Sequence, residues 1–183
     1  MTIPVPKKKR YTYEDYAKLP EGAPYQLIGG ELVMVPSPTP YHQRVSRKLV
    51  FLLTEYVEKN DLGEVFYSPI DVYFDEEDVF QPDIVFISKA RLDIIGETKI
   101  EGPPDLIIEI LSPSTAYYDL GRKYEVYERS GVKEYWVVHP DRKSVEVYQN
   151  EGGRFKLIQT AKGKGTVNSM ALKDFVLILQ KIF

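Results

Sequence analysis

One residue limits what this chain can fold into more than any other. Glu109 lies inside Leu106-Ile107-Ile108-Glu109-Ile110-Leu111, a short apolar run that reads as a strand buried on both faces. An ionised carboxylate cannot be buried there alone. It must find a cation, take up a proton or reach a cleft. Ser112-Pro113-Ser114 stops the run and puts Glu109 near the strand's C-terminal end, where open α/β sheets place their ligands.

A second carboxylate has the same character. Asp83 follows Gln81-Pro82 and leads into Ile84-Val85-Phe86-Ile87, another apolar run rich in β-branched residues. Taken singly, each acid is equally well explained as a salt-bridged or strand-end residue. Two acids on neighbouring apolar strands can instead converge on one hard cation, which wants oxygen ligands. Together, and with a lysine on the helix after Glu109, they point to a site.

The 183 residues suffice for one domain with a sizeable core. A hydrophobic share of 43% and a charged share of 28% are those of an ordinary globular protein. The formal charge of −3 argues against coating nucleic acid over the whole surface, but it leaves room for a local basic groove. Without cysteine there is neither a disulfide nor thiolate chemistry. No apolar run approaches the roughly 20 residues of a membrane span, and no hydrophobic signal core opens the chain, so a cytoplasmic protein is expected.

Residues 1–11 read as a basic, flexible tail ending near Lys7-Lys8-Lys9-Arg10, and residues 12–183 as a single domain. Thr12 and Asp15 suggest a capped short helix. Gly29-Gly30, between Tyr25–Ile28 and Glu31–Val35, predict a two-residue hairpin. A helix is expected from about Tyr41 to Lys59, with His42, Val45, Leu49, Leu52 and Tyr56 on one face. His42 then lies in the first turn on the core-facing side, beside a proline-rich entry loop. Residues 64–74 and 79–88 predict paired strands joined by Asp75-Glu76-Glu77-Asp78. That acidic run lacks the spacing and glycine of an EF-hand and reads as a solvated turn. Asp71 is taken as structural.

After the 106–111 strand, a helix is expected from Asp119, a good N-cap, to Ser130, with Gly131 as its stop. Leu120, Tyr124 and Tyr127 supply its apolar stripe and Lys123 lies on the flank. Another strand at Glu134–His139, a C-terminal meander over 144–148 and 154–160, and a closing helix or strand over 172–183 complete the order. A mixed central sheet flanked by helices follows, with an N-terminal β-hairpin.

Several of these segments together resemble the Uma2 family: Tyr25-Gln26-Leu27-Ile28-Gly29-Gly30-Glu31, Pro38-Thr39-Pro40-Tyr41-His42, Gln81-Pro82-Asp83, Ile108-Glu109-Ile110-Leu111-Ser112-Pro113-Ser114-Thr115, Asp119 with Lys123 and Tyr127, and Gly131-Val132-Lys133-Glu134-Tyr135-Trp136. The resemblance covers roughly residues 12–180. It implies an α/β, restriction-endonuclease-like fold of the PD-(D/E)xK superfamily, in which Pro82-Asp83 and Glu109 match the two metal-binding acids. One departure stands out. The usual lysine position, two after Glu109, holds Leu111, and the resemblance assigns the lysine to the following helix as Lys123. Glu31 and His42 match polar positions near the same pocket.

This resemblance implies a metal-dependent endonuclease acting on DNA. Asp83, Glu109 and the Ile110 carbonyl would hold Mg²⁺, with Mn²⁺ as an alternative. Lys123 would orient water or balance charge, and His42 or Glu31 would position water or accept a proton. A homodimer is expected by analogy with related nucleases. The alternative is a non-catalytic nuclease-fold module that binds nucleic acid or a protein, which the displaced lysine and the acidic charge would suit. A glycosidase using Asp83 and Glu109 as its acid pair fails, because neither neighbourhood has the exposed aromatics of a sugar cleft.

Overall fold

The computed structural model describes residues 9–20, 22–113 and 116–183. Most of the expected basic tail, and Ser114-Thr115 of the sequence motif, lie outside the described residues. The part of the tail that is described is tied down. Arg10 Nη1 pairs with Glu77 Oε1 at 2.9 Å, and Tyr11 N donates to Gly30 O at 2.9 Å.

The elements run α1 (Tyr13–Tyr16), β1 (Tyr25–Ile28), β2 (Glu31–Met34), α2 (Pro40–Lys59), β3 (Gly63–Tyr67), β4 (Val72–Asp75), β5 (Asp78–Phe80), β6 (Ile84–Ser88), β7 (Ile100–Glu101) and β8 (Leu106–Ile110). They continue through α3 (Ala116–Asp119), α4 (Arg122–Ser130), β9 (Glu134–His139), β10 (Ser144–Asn150), β11 (Phe155–Lys162), β12 (Thr166–Asn168) and β13 (Val176–Ile178). Short 3-10 turns cover Lys89–Ile94 and Leu179–Lys181.

A six-stranded sheet forms the centre, in the order β11-β10-β9-β8-β6-β3. Only β8 and β9 run parallel; the other neighbours are antiparallel. The mixed central sheet, the N-terminal hairpin and the C-terminal meander are as expected. The flanks differ. Helix α2 and the β12–β13 hairpin cover one face, where Val45, Leu49 and Leu53 meet Ile84, Phe86, Leu106, Ile108 and Trp136. A second sheet, β2-β1-β5-β4-β7, covers the other face together with α4, around Phe80, Val85, Ile107, Val126, Tyr127 and Tyr135.

Prolines explain why the two long paired segments divide between the sheets. Residues 64–74 break into β3 and β4 across Pro69, and 79–88 into β5 and β6 across Pro82. A proline has no N–H to give a ladder, so each is a natural point for the chain to change sheets. The hairpin turn is as expected: Gly29 and Gly30 both have positive φ, 58° and 74°, as a turn between right-twisted strands requires.

Two further expectations need correction. The helix over 119–130 is two helices broken at Gly121, whose φ of −115° and ψ of −107° are not helical. A Cβ at that glycine would meet the Tyr117 carbonyl at 2.7 Å. Asp119 therefore ends α3 rather than capping α4, and Leu120, at the break, is exposed. The acidic run 75–78 is not a solvated turn throughout: Asp78 is fully buried and pairs with Arg122 at 2.6 Å and Arg129 at 2.9 Å. Residues 172–183 resolve into β13 and a 3-10 turn, with no α-helix. Asp71 is structural, accepting from Tyr16 Oη and Gln81 Nε2, each at 2.9 Å. Among the described residues no helix is long and apolar enough to cross a membrane.

Candidate active site

Strand alternation brings the two acids together. Strands β6 and β8 pair with Ile84 opposite Ile108, so the next positions outward, Asp83 and Glu109, are neighbours on one edge of the ladder. Side chains alternate between faces along a strand. Asp83 and Glu109 therefore share the face of Val85 and Ile107, which is the face covered by α4. Asp83 Oδ2 accepts from the backbone N–H of Ile110 at 2.7 Å, and the Asp83 N–H approaches Glu109 Oε2 at 3.4 Å.

Helix α4 supplies the cation. Lys123 Nζ lies 3.0 Å from Glu109 Oε1 and 3.0 Å from Asp119 Oδ1, and the lysine is only 4% exposed. The expected flank position is thus an inward-facing one. Tyr127, one turn on, donates its hydroxyl to the same Glu109 Oε1 at 2.6 Å. The αL glycine Gly131, φ 87°, ends α4 and turns the chain into β9, which lies parallel to β8.

The electrostatics follow from burial. Burial, reinforced by Asp119 and Asp83, drives the Glu109 carboxyl up to about 8, although Lys123 and Tyr127 pull it down. Oε1 already accepts from Lys123 and Tyr127, so a proton taken up by this carboxyl would go to Oε2, beside Asp83. For Lys123, burial works against the charge, but Glu109 and Asp119 outweigh it and hold the ammonium above its ordinary value. Burial and Glu109 together raise the Tyr127 phenol, which stays a neutral donor.

His42 reaches the site from the other side of the sheet. Thr39 caps α2 by accepting from His42 N at 3.2 Å, with Pro40 opening the helix. The His42 ring projects to the end of β8, where Nε2 lies 2.9 Å from the Ile110 carbonyl and 3.4 Å from Asp83 Oδ2. A carbonyl can only accept, so Nε2 carries the proton. Nδ1 is buried with no hydrogen-bond partner among the described residues. Burial disfavours the imidazolium, but Asp83 and the Ile110 carbonyl outweigh it and raise the ring's pKa.

A cavity of about 330 Å³ brings His42, Asp83, Glu109, Ile110, Asp119 and Lys123 to one space, walled on the hairpin side by Gln26, Ile28 and Met34. Glu31 is exposed at the start of β2 and does not line this cavity, so the structure does not gather it with the others. A larger, shallower groove of about 1080 Å³ runs along the outer face of α2, but no acids converge in it with a buried lysine. Sequence reasoning missed two members of the cluster, Asp119 and Tyr127. The resemblance includes both beside Lys123 without giving either a role; Asp119 ends α3 and meets Lys123 across the break at Gly121.

Among the described residues no three His, Cys, Asp or Glu side chains form a ready metal cluster. The donor set nevertheless fits a hard cation. Asp83 Oδ1 makes no hydrogen bond among the described residues, Glu109 Oε2 has only its long contact, and the Ile110 carbonyl adjoins them. Mg²⁺ commonly uses one or two carboxylates and completes its shell with water and substrate phosphate.

The Uma2 family profile, described as "Putative restriction endonuclease", matches residues 13–180. The chain belongs to the Uma2 family. An uncharacterized protein of Synechocystis sp. (strain ATCC 27184 / PCC 6803 / Kazusa), sll1609, is 27% identical over 141 residues, 76% of this chain and 79% of that one. The fold is similar to that of a crystal structure described as a putative nuclease belonging to DUF820 from Anabaena variabilis ATCC 29413. The TM-score is 0.78 at 21% identity, covering 94% of this chain and 97% of the other. This Uma2 protein is therefore nuclease-like in family and in fold, and the cluster around Glu109 is its candidate centre.

Proposed function

We propose that this Uma2 protein is a metal-dependent endonuclease that hydrolyses phosphodiester bonds of DNA. The observation that carries the reading is the buried contact of Lys123 with Glu109, next to Asp83 on the adjoining strand. These residues would be the two acids and the amine of a PD-(D/E)xK centre, with the amine coming from α4 and leucine at position 111. The family description supports DNA as the substrate.

Asp83 Oδ1, Glu109 Oε2 and the Ile110 carbonyl would hold Mg²⁺ or Mn²⁺. When bound, such an ion supplies Lewis-acid polarisation of the phosphate and a more acidic attacking water. The chain's own groups do the rest. Glu109 would act as a ligand through Oε2 in its ionised form, so any proton there must leave first. Lys123, held cationic by Asp119, faces the negative charge that develops on the phosphate and orients the attacking water. His42 holds the Ile110 carbonyl through its Nε2 proton and keeps it aimed at the cavity. It acts as a positioning residue, since Nε2 is committed to that carbonyl and Nδ1 is buried with no partner among the described residues. Tyr127 fixes the Glu109 rotamer.

A binding-only module would have little use for a lysine buried between two acids at the end of a strand. Incubating the protein with supercoiled plasmid and with single-stranded DNA, in Mg²⁺, Mn²⁺ or chelator, tests the reading. Nicked or linear product in either metal and none in chelator is expected. Stoichiometric DNA binding without cleavage in both metals would favour the binding module.

A further inference from the structure

The outer face of α2 carries a pattern that the nuclease reading does not use. Arg44, Arg47, Phe51, Glu55 and Glu58 line the groove of about 1080 Å³, and all five are exposed, Phe51 to 65%. None of the four charged side chains makes an ion pair or hydrogen bond among the described residues. On a helix these positions fall within one stripe, since steps of three, four and seven residues return to the same side. The order along the stripe is two cations, an aromatic, two anions.

That order is symmetric about Phe51. Arg47 and Glu55 lie four residues either side of it, and Arg44 and Glu58 lie seven either side. In a two-fold, antiparallel pairing of two copies of α2, each position meets its mirror on the partner. Phe51 then meets Phe51, Arg47 meets Glu55 and Arg44 meets Glu58, each ion pair occurring twice. An isologous interface requires this kind of self-complementary patch. An exposed phenylalanine in a groove of this size, flanked by matched and unpartnered charges, is the composition of an interface core with a polar rim.

We propose that this face of α2 is a homodimer interface and that its occupant is a second copy of this chain, packed antiparallel about Phe51. A nucleic-acid strand fits the stripe less well: phosphate would suit Arg44 and Arg47, but Glu55 and Glu58 would repel it about two to four turns further along. The groove shares Gln43, Ser46 and Tyr67 with the Glu109 cavity, so the pairing sets two such cavities close to one two-fold axis. The inference does not depend on the nuclease reading, because it is read by mass and not by cleavage.

The experiment is sedimentation equilibrium on the full chain and on two charge-reversal variants, with circular dichroism to confirm that each stays helical. The wild type should have about twice the monomer mass of 21.1 kDa, with dissociation promoted by salt. R44E/R47E makes the stripe wholly acidic and E55R/E58R makes it wholly basic, so each variant alone should be a monomer. Mixed one to one, they should recover the doubled mass as a heterodimer. A monomeric wild type at tens of micromolar (roughly the range where weak dimers assemble) would overturn the proposal. So would variants that keep the wild-type mass when alone. A wild type that is monomeric until oligonucleotide is added, with binding lost in R44E/R47E, would overturn it in favour of a nucleic-acid groove.

Discussion

The Lys123 ammonium sits 3.0 Å from the Glu109 carboxylate, with the lysine on α4 and the acid inside β8. The two are 14 residues apart in sequence and on different elements, yet the contact is buried on both sides. If Lys123 serves the reacting phosphate and is not a metal ligand, Lys123→Ala should leave Mg²⁺ affinity nearly intact, or raise it slightly by removing a nearby positive charge. Cleavage should fall by about 10²-fold or more, as expected for the loss of one transition-state contact. Lys123→Arg should restore only part of it, because a planar guanidinium places its charge differently. Removing the cation also leaves two buried acids short of a partner, a loss of about 3–5 kcal/mol for a broken buried pair. Calorimetric titration and single-turnover cleavage below the variant's melting temperature separate these effects.

Glu109→Gln should abolish Mg²⁺ binding and leave the metal-free fold intact. Burial lifts the Glu109 pKa to about 8, so holding this carboxyl ionised in the metal-free fold is costly, and glutamine is a close stand-in for its neutral form. Melting curves without metal should show the variant at least as stable as the wild type. A folded variant with undiminished Mg²⁺ affinity would place the metal elsewhere.

How much of this was open to sequence reading depends on the residue. Glu109 and Asp83 were legible because an acid next to or inside an apolar, β-branched run contradicts its surroundings. The length of α2 and the Gly29-Gly30 turn were legible from period and from backbone demand. Asp119 was not, since an aspartate ahead of a helical stretch looks the same whether it caps the next helix or ends a previous one. The choice was made by Gly121, whose non-helical backbone separates α3 from α4. The inward aim of Lys123 was legible only through the family resemblance, because by pattern alone a lysine beside an apolar stripe is usually solvated. The division of two long strands between two sheets turned on Pro69 and Pro82, which a reading for strand propensity alone passes over.

The pH dependence has a definite sign. Glu109 binds its proton more tightly folded, at about 8, than at its ordinary 4.5, so folding takes up a proton between those values. Its contribution to stability is complete below about 4.5 and is lost as pH rises toward 8. Mg²⁺ has to displace the same proton, so its affinity should rise over that interval and level off above it. Urea unfolding of wild type and Glu109→Gln across this range isolates the effect: the difference between the two should change with pH in the metal-free protein.

His42→Ala should weaken metal binding or cleavage by about 10–100-fold, the usual loss when a group that orients a ligand is removed. The carbonyl of Ile110 would lose the N–H that holds it at 2.9 Å. His42→Gln, whose amide can donate to the same carbonyl, should recover part of the loss, and the cleavage rate should then lose any dependence on imidazole titration. A His42→Ala variant that binds Mg²⁺ normally but no longer cleaves would instead make the ring a direct proton acceptor.

The central claim is that Asp83, Glu109 and Lys123 form one metal-dependent hydrolytic centre. Its most direct test is plasmid cleavage by wild type, Asp83→Asn, Glu109→Gln and Lys123→Ala, each at saturating Mg²⁺ and again in chelator. The expected result is cleavage by the wild type in Mg²⁺ alone, with all three variants reduced by about 10²-fold or more. Cleavage that survives chelator, or that any of the three variants carries out at the wild-type rate, would contradict it.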